Sequence, residues 1–161
     1  MKIIGLQPEH WPLVEQIYSE GIQSRNATFE TDTPSWESWD NSHLKTCRYV
    51  ALIENDVAGW AALLPVSNRE VYKGVAEVSI YIGENFHGLG VGKALLNHLI
   101  MKSEEAGFWL LQAILFPENT ASCNLHIGEG FREVGYREKI AKHFGEWRNT
   151  VLLERRSTKI N

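Results

Sequence analysis

At 161 residues the chain has room for one domain, residues 1–161, and a second independent core would be cramped. Its 43% hydrophobic and 22% charged residues are those of a globular chain, and no run approaches the roughly 20 apolar residues that span a bilayer. A formal net charge of −4 excludes the basic face of a nucleic-acid backbone binder, while leaving room for a local positive funnel for an anionic small molecule.

In chain order, Met1–Gly5 reads as a short strand. Pro8 opens an amphipathic helix with Trp11, Val14, Ile17, Tyr18 and Ile22 at spacings of three and four. A polar, Thr-rich loop over 25–35 precedes a helix carrying Trp36 and Trp39. Two β-rich runs follow, Tyr49–Ile53 and Trp60–Val66, separated by the turn Glu54-Asn55-Asp56. Loop 67–74 leads to a strand over Val75–Ile82. A Gly-rich turn then opens a helix from Val91 to Glu105, with Gly107 as its stop. Leu110–Phe116, nearly all apolar, reads as a strand buried on both faces. Pro117-Glu118-Asn119-Thr120 starts a helix through Glu129, and strands near Arg132–Tyr136 and Trp147–Glu154 close an α/β domain with a mixed sheet.

The turn His87-Gly88-Leu89-Gly90-Val91-Gly92-Lys93 sits between strand and helix, where glycines let successive N–H groups point into one concavity. The helix N-terminus adds unpaired donors and partial positive charge, which suits a diphosphate, with Lys93 at the rim. A P-loop fails twice: Ala94 stands where Ser or Thr is required, and His87 stands five before Gly92. A dinucleotide fingerprint needs Gly-x-Gly-x-x-Gly after a first strand, and Gly-x-Gly-x-Gly occurs here deep in the chain. An acetyl-CoA motif, Arg/Gln-x-x-Gly-x-Gly/Ala, fits except for His87 in its first place. A tight turn with no ligand is the remaining reading.

Independently, Glu77 is notable. Strict alternation puts Glu77, Ser79 and Tyr81 on one strand face and Ala76, Val78, Ile80 and Ile82 on the other. A carboxylate amid apolar strand residues is costly to bury without a partner or a task, although a satisfied or solvent-facing strand carboxylate remains open. A β-bulge here would change the alternation.

The glycine turn does not stand alone. Glu77-Val78-Ser79-Ile80-Tyr81-Ile82 precedes it, and Asn119-x-x-Ser122-x-x-Leu125-His126 with Gly130-Phe131 follows. With Arg25-Asn26-Ala27-Thr28-Phe29-Glu30-Thr31, Arg69-x-x-Tyr72 and Phe144-Gly145-x-Trp147, these motifs run in order along nearly the whole chain. The chain resembles the GNAT superfamily of acetyltransferases, and within it the phosphinothricin/methionine sulfoximine N-acetyltransferase group. The resemblance implies a bent mixed sheet of six to seven strands, its central strands splayed, flanked by about four helices. It implies acetyl-CoA as cofactor: pantetheine pairs with Ile80, Tyr81 and Ile82, and pyrophosphate rests on His87, Gly88, Leu89, Gly90, Val91, Gly92 and Lys93. Asn119 and Ser122 would face the cofactor. Glu77 matches the family's catalytic glutamate, and His126 stands where many members have a tyrosine thought to protonate the thiolate, although a plain helix histidine is the other reading. A small amine acceptor of amino-acid type would meet Arg69 and Tyr72, whose fork and phenol suit a carboxylate and a phosphinyl, sulfoximine or sulfone oxygen, with Arg25, Phe29 and Trp147 lining the same pocket. A homodimer is also implied. The chain departs from the group at His87, usually Arg, and at His143 and Asn149, usually Lys and Asp in herbicide-inactivating members.

Other chemistries are thinly supported. A cysteine hydrolase would rest on Cys123 near a helix start and His126 one turn on, without an oxyanion signal. The six histidines form no HExxH or comparable cluster, so no metal site is expected. Cys47 and Cys123 have no paired spacing, and Met1–Pro12 lacks the apolar core of a secretory signal, so a reducing cytoplasm is the default expectation. A non-catalytic CoA sensor and a peptide, protein or polyamine acceptor are the rival readings. No nucleic-acid or membrane partner is expected.

Overall fold

Seven strands form one sheet in the order β1-β2-β3-β4-β5-β7-β6 in a computed structural model that describes residues 1–161. They are β1 (Lys2–Gly5), β2 (Tyr49–Ile53), β3 (Asp56–Pro65), β4 (Val75–Ile82), β5 (Leu110–Leu115), β6 (Arg132–His143) and β7 (Glu146–Arg156). All neighbours pair antiparallel except β4 and β5. Four helices cover the sheet: α1 (Trp11–Gln23), α2 (Trp36–Ser42), α3 (Val91–Glu105) and α4 (Thr120–Gly128). No helix is long and apolar enough to cross a membrane.

β4 and α3 have the limits expected from the sequence, because each is bounded by a chemical stop. Other limits move. Pro8 opens a 3-10 turn, Pro8–His10, and the helix begins at Trp11. β3 starts at Asp56, since the turn at Glu54 and Asn55, both at positive φ, is only two residues long. α4 starts at Thr120, with Asn119 as its cap. β6 continues to His143, well past Tyr136. It is an edge strand, mostly exposed, and carries an irregularity between Arg137 and Ala141, so no apolar alternation marks it. Asn149 pins that irregularity: its Oδ1 accepts the Lys139 N–H at 2.8 Å, and Lys139 holds φ 49.

The core has two layers. One lies between the sheet and α3, where Val91, Leu95, Leu96, Leu99 and Ile100 are buried against Ala61, Leu63, Ala76 and Leu111. Each such side chain contributes about 1.5–3 kcal/mol of burial. The other lies under α1 and α2, where Trp39 packs edge to face on Trp60 and Trp11 packs tilted against Trp39. β4 separates the layers as its alternation requires. Ala76, Val78, Ile80 and Ile82 face the α3 layer, and Tyr81 packs against the α1 layer, stacked on Trp60 at 4.9 Å. Its register with β3 is continuous from Gly59↔Ile82 to Pro65↔Ala76, with no bulge. Gly21 in α1 admits this arrangement, since a Cβ there would lie 2.7 Å from the Tyr81 ring.

Candidate active site

The site originates in an incomplete strand pair. β4 and β5 are paired only over Val75↔Leu110, Ala76↔Leu111 and Glu77↔Gln112. Beyond Glu77 the strands part: β5 continues against β7, and β4 continues against β3 alone. The β4 edge from Val78 to Ile82 therefore faces a cleft. β5 is not buried on both faces as its composition suggests, because Ile114 and Leu115 line that cleft.

The cleft holds two joined chambers. One, of about 560 Å³, runs along Ile80–Ile82, the glycine turn and the start of α4. The other, of about 670 Å³, lies under α1, α2 and their connecting loop and reaches Glu77. Ala27, Ile80, Tyr81, Asn119 and Ser122 belong to both walls.

In the first chamber, Gly88 and Gly90 hold φ of 76° and 80°, conformations that other residues adopt at a cost. None of the backbone N–H groups from Gly88 to Lys93 has a protein partner, and a Cβ at Gly88 or Gly90 would meet open space. This concavity at the N-terminus of a fifteen-residue helix fits a diphosphate. Lys93 lies at the rim, 3.8 Å from the Glu129 carboxylate. Leu89, included in the motif, is exposed and outside the wall. His87 has a definite partner, its Nε2 lying 3.1 Å from the Ile82 carbonyl, so it donates there and fastens the end of β4 to the turn. Asn119 caps α4, its Oδ1 accepting the Ser122 N–H at 3.2 Å.

In the second chamber, Glu77 is half-buried, and its Oε1 accepts a hydrogen bond of 2.9 Å from Gln112 Nε2. Its Oε2 has no protein donor. His126, only 1% exposed, donates Nδ1–H to the Ser122 carbonyl at 2.8 Å, which leaves Nε2 as a bare acceptor without a partner. Burial holds this imidazole below the ordinary histidine range, outweighing the upward pull of the Ser122 carbonyl. A neutral ring with this tautomer is an acceptor and not a resting proton donor, so the geometry argues against the general-acid role considered for His126. Burial also pushes the Cys123 thiol up, and its Sγ lies 3.7 Å from the Phe116 carbonyl, the opposite of an activated nucleophile.

The remaining predicted residues divide. Phe29 lines the chamber, edge-on to Phe116 at 4.8 Å. Arg25, Arg69, Tyr72 and Trp147 do not. Arg69 is exposed and lies over the Tyr72 ring at 5.4 Å in the loop before β4. Arg25 stacks on Phe144 at 3.9 Å, and Trp147 is exposed beneath Lys142. Sequence reasoning missed Gln112, which only the β4–β5 register brings to Glu77, and Thr150, buried in the chamber wall with no partner for Oγ1. It also missed Arg148, which stacks on Phe116 at 3.7 Å and donates to the Arg25 carbonyl at 2.8 Å, tying the α1–α2 loop to β7. His143 is buried against Phe29, Phe116 and Phe144.

Comparison with known proteins agrees with this geometry. A phosphinothricin N-acetyltransferase of Alcaligenes faecalis is 30% identical over 155 residues, covering 89% of this chain and 76% of that one. An L-methionine sulfoximine/L-methionine sulfone acetyltransferase of Pseudomonas aeruginosa is 25% identical over 150 residues, covering 89% and 87%. The crystal structure of a GNAT superfamily phosphinothricin acetyltransferase from Sinorhizobium meliloti in complex with AcCoA superposes with a TM-score of 0.90 at 25% identity, covering 99% of this chain and 90% of that one. Residues 11–131 match the acetyltransferase (GNAT) family, and with the splayed strands and glycine nest in place the chain belongs to that family.

Proposed function

We propose that the chain is an acetyl-CoA-dependent N-acetyltransferase acting on the primary amine of a small acceptor by direct attack, assisted by Glu77. The observation that carries this reading is the placement of Glu77. It is the last paired residue before β4 and β5 separate, so its carboxylate stands in the acceptor chamber beside the wall shared with the diphosphate nest. When bound, acetyl-CoA supplies an activated acetyl thioester. The unpaired N–H groups of 88–93 and the Lys93 ammonium would hold its pyrophosphate, and the free edge of Val78–Ile82 would receive the pantetheine amides. An N–H of that edge near Tyr81 or Ile82 would be the donor for negative charge developing on the acetyl oxygen as the C–N bond forms. The C–S bond would then break with the CoA thiolate leaving, to be protonated by the proton taken from the nitrogen, through Glu77 or water. Gln112 fixes one Glu77 oxygen and leaves the other to take a proton from the acceptor ammonium, directly or through water. His126 Nε2, a bare acceptor in the chamber wall, is available to orient the nitrogen.

The relatives' names make phosphinothricin, methionine sulfoximine and methionine sulfone the first amino-acid-like acceptors to assay. Their carboxylate needs a cation, for which Arg69, above Tyr72 at the loop into β4, is the candidate. A homodimer is supported by the exposed Val134, Tyr136, Ile140, Phe144 and Trp147 on the β6–β7 hairpin. A reducing cytoplasm accords with the two free thiols, Cys47 and Cys123.

The test is thiol release from acetyl-CoA across a panel of small amines and N-terminal peptides, with wild type and Glu77→Gln. The variant keeps an acceptor for Gln112, so it should fold normally and lose roughly 10²–10⁴-fold in kcat/KM. Wild-type kcat/KM and an unchanged pH profile in Glu77→Gln would rule out the base. CoA binding without thiol release on any amine would favour a sensor.

A further inference from the structure

The acceptor chamber has an unusual balance of charge. Its wall includes the carboxylates of Glu30, Asp32 and Glu77 and no lysine or arginine. None of the three takes part in an ion pair; the nine salt bridges of the chain lie elsewhere. The two imidazoles in the wall do not offset this. Burial pushes His43 down to about 4 and holds His126 below its ordinary range, so both are neutral at physiological pH.

A second, independent feature points the same way. Three side chains in the wall, Trp39 and His126 at 1% and Thr150 at 2% exposure, have polar atoms without any protein partner: Nε1, Nε2 and Oγ1. The Nδ1–H bond to Ser122 makes His126 Nε2 a pure acceptor. Buried polar atoms are ordinarily paired; here His126 Nε2 can only accept, Trp39 Nε1–H can only donate, and the Thr150 hydroxyl can do either. The chamber thus offers three carboxylates and one bare ring nitrogen to a cationic ligand, with the Tyr18, Phe29 and Phe116 rings beside them.

Resting on the acetyl transfer proposed above, we infer that the preferred acceptor carries a second positive charge, an ammonium or guanidinium beyond the nitrogen that is acetylated. Glu77 is committed to the reacting nitrogen. Glu30 and Asp32, on the loop between α1 and α2, remain for a second cation. An acceptor with an anionic tail, such as the phosphinate of phosphinothricin, would set like charges together where Glu30 and Asp32, both exposed, border the chamber, with no cation in the wall. Arg69, the sequence-based candidate for a carboxylate, is exposed and outside that wall.

The experiment compares acceptors matched in length: butylamine, putrescine, ornithine and phosphinothricin. Thiol release and calorimetric binding to the CoA-loaded protein are measured in parallel. Putrescine or ornithine should exceed butylamine by about two- to fivefold in kcat/KM and in affinity, as expected of exposed carboxylates. The ratio of cationic to neutral acceptor should fall toward one in Glu30→Gln/Asp32→Asn. A lead for putrescine identifies a diamine, whereas a lead for ornithine identifies a basic amino acid whose carboxylate is met outside the chamber. Equal use of butylamine and putrescine, or a preference for phosphinothricin over every cationic acceptor, would overturn the inference. Absence of thiol release on all four would sink the acetyl-transfer reading, and the calorimetric ranking would still decide the question of charge.

Discussion

Replacing Gly90 by alanine separates the backbone role of the glycine turn from its role toward a ligand. Gly90 caps α3 with φ 80 and ψ 8, a left-handed conformation that costs an alanine about 1–2 kcal/mol. A Cβ there meets nothing within 4 Å, so the free protein has no steric cost to add. For a domain of this size that corresponds to a melting temperature lower by roughly 2–8 °C. The added methyl projects into the open side of the nest, where a diphosphate must approach the N–H groups of 88–93. CoA should therefore bind about tenfold more weakly or worse, while pantetheine, which lacks the diphosphate, should bind as it does to wild type. Thermal melts give the first quantity, and calorimetry with CoA and pantetheine gives the second. A lower melting temperature with unchanged CoA affinity would reduce the turn to a connector. An unchanged melting temperature would refute the conformational cost itself.

Gly21→Ala should gain about 1 kcal/mol of helix propensity and lose more, because its Cβ would lie 2.7 Å from the Tyr81 ring; net destabilisation of about 1–2 kcal/mol is expected in urea titrations. Acid should weaken the fold through its buried imidazoles. His43 is held down to about 4 and His126 is shifted in the same direction, so the unfolded chain binds protons first as pH falls below about 6.5. His43 alone accounts for up to about 3 kcal/mol lost between about pH 6.5 and 4, and His43→Asn should flatten that part of the stability curve.

The legible parts of the chain are those where one residue type has one structural use. The apolar stripe of α3, bounded by Gly90 and Gly107, leaves little choice of limits, and the alternation of β4 sorts its side chains to two layers correctly. β6 was legible only to Tyr136, because an exposed edge strand buries almost nothing and carries no alternation to read. The acceptor chamber was less legible still. Its walls come from α1, α2, their loop, β4, β5, α4 and β7, and no local pattern announces Thr150 or the bare nitrogen of His126. Arg25 and Trp147 resemble pocket residues by type, yet each is held on the outer surface by a ring-to-cation contact.

Glu77 and Gln112 show why the site lies where it does. Their pairing is the last of three parallel rungs, and a sheet that continued pairing past it would seal the β4 edge with β5. Because pairing stops there, β4 keeps a five-residue edge whose outward backbone groups face a cleft, while β5 stays paired with β7 along its whole length. The same interruption opens the space between the chambers and sets one carboxylate at its vertex, with a neighbouring amide to fix its orientation. A free backbone edge, a diphosphate nest at its far end and a carboxylate at its near end are thus consequences of a single break in strand pairing. The His87 bond to Ile82 then fastens the far end, so the residue that departs from the acetyl-CoA motif has a structural task on the cofactor edge as well as a place in the cofactor wall.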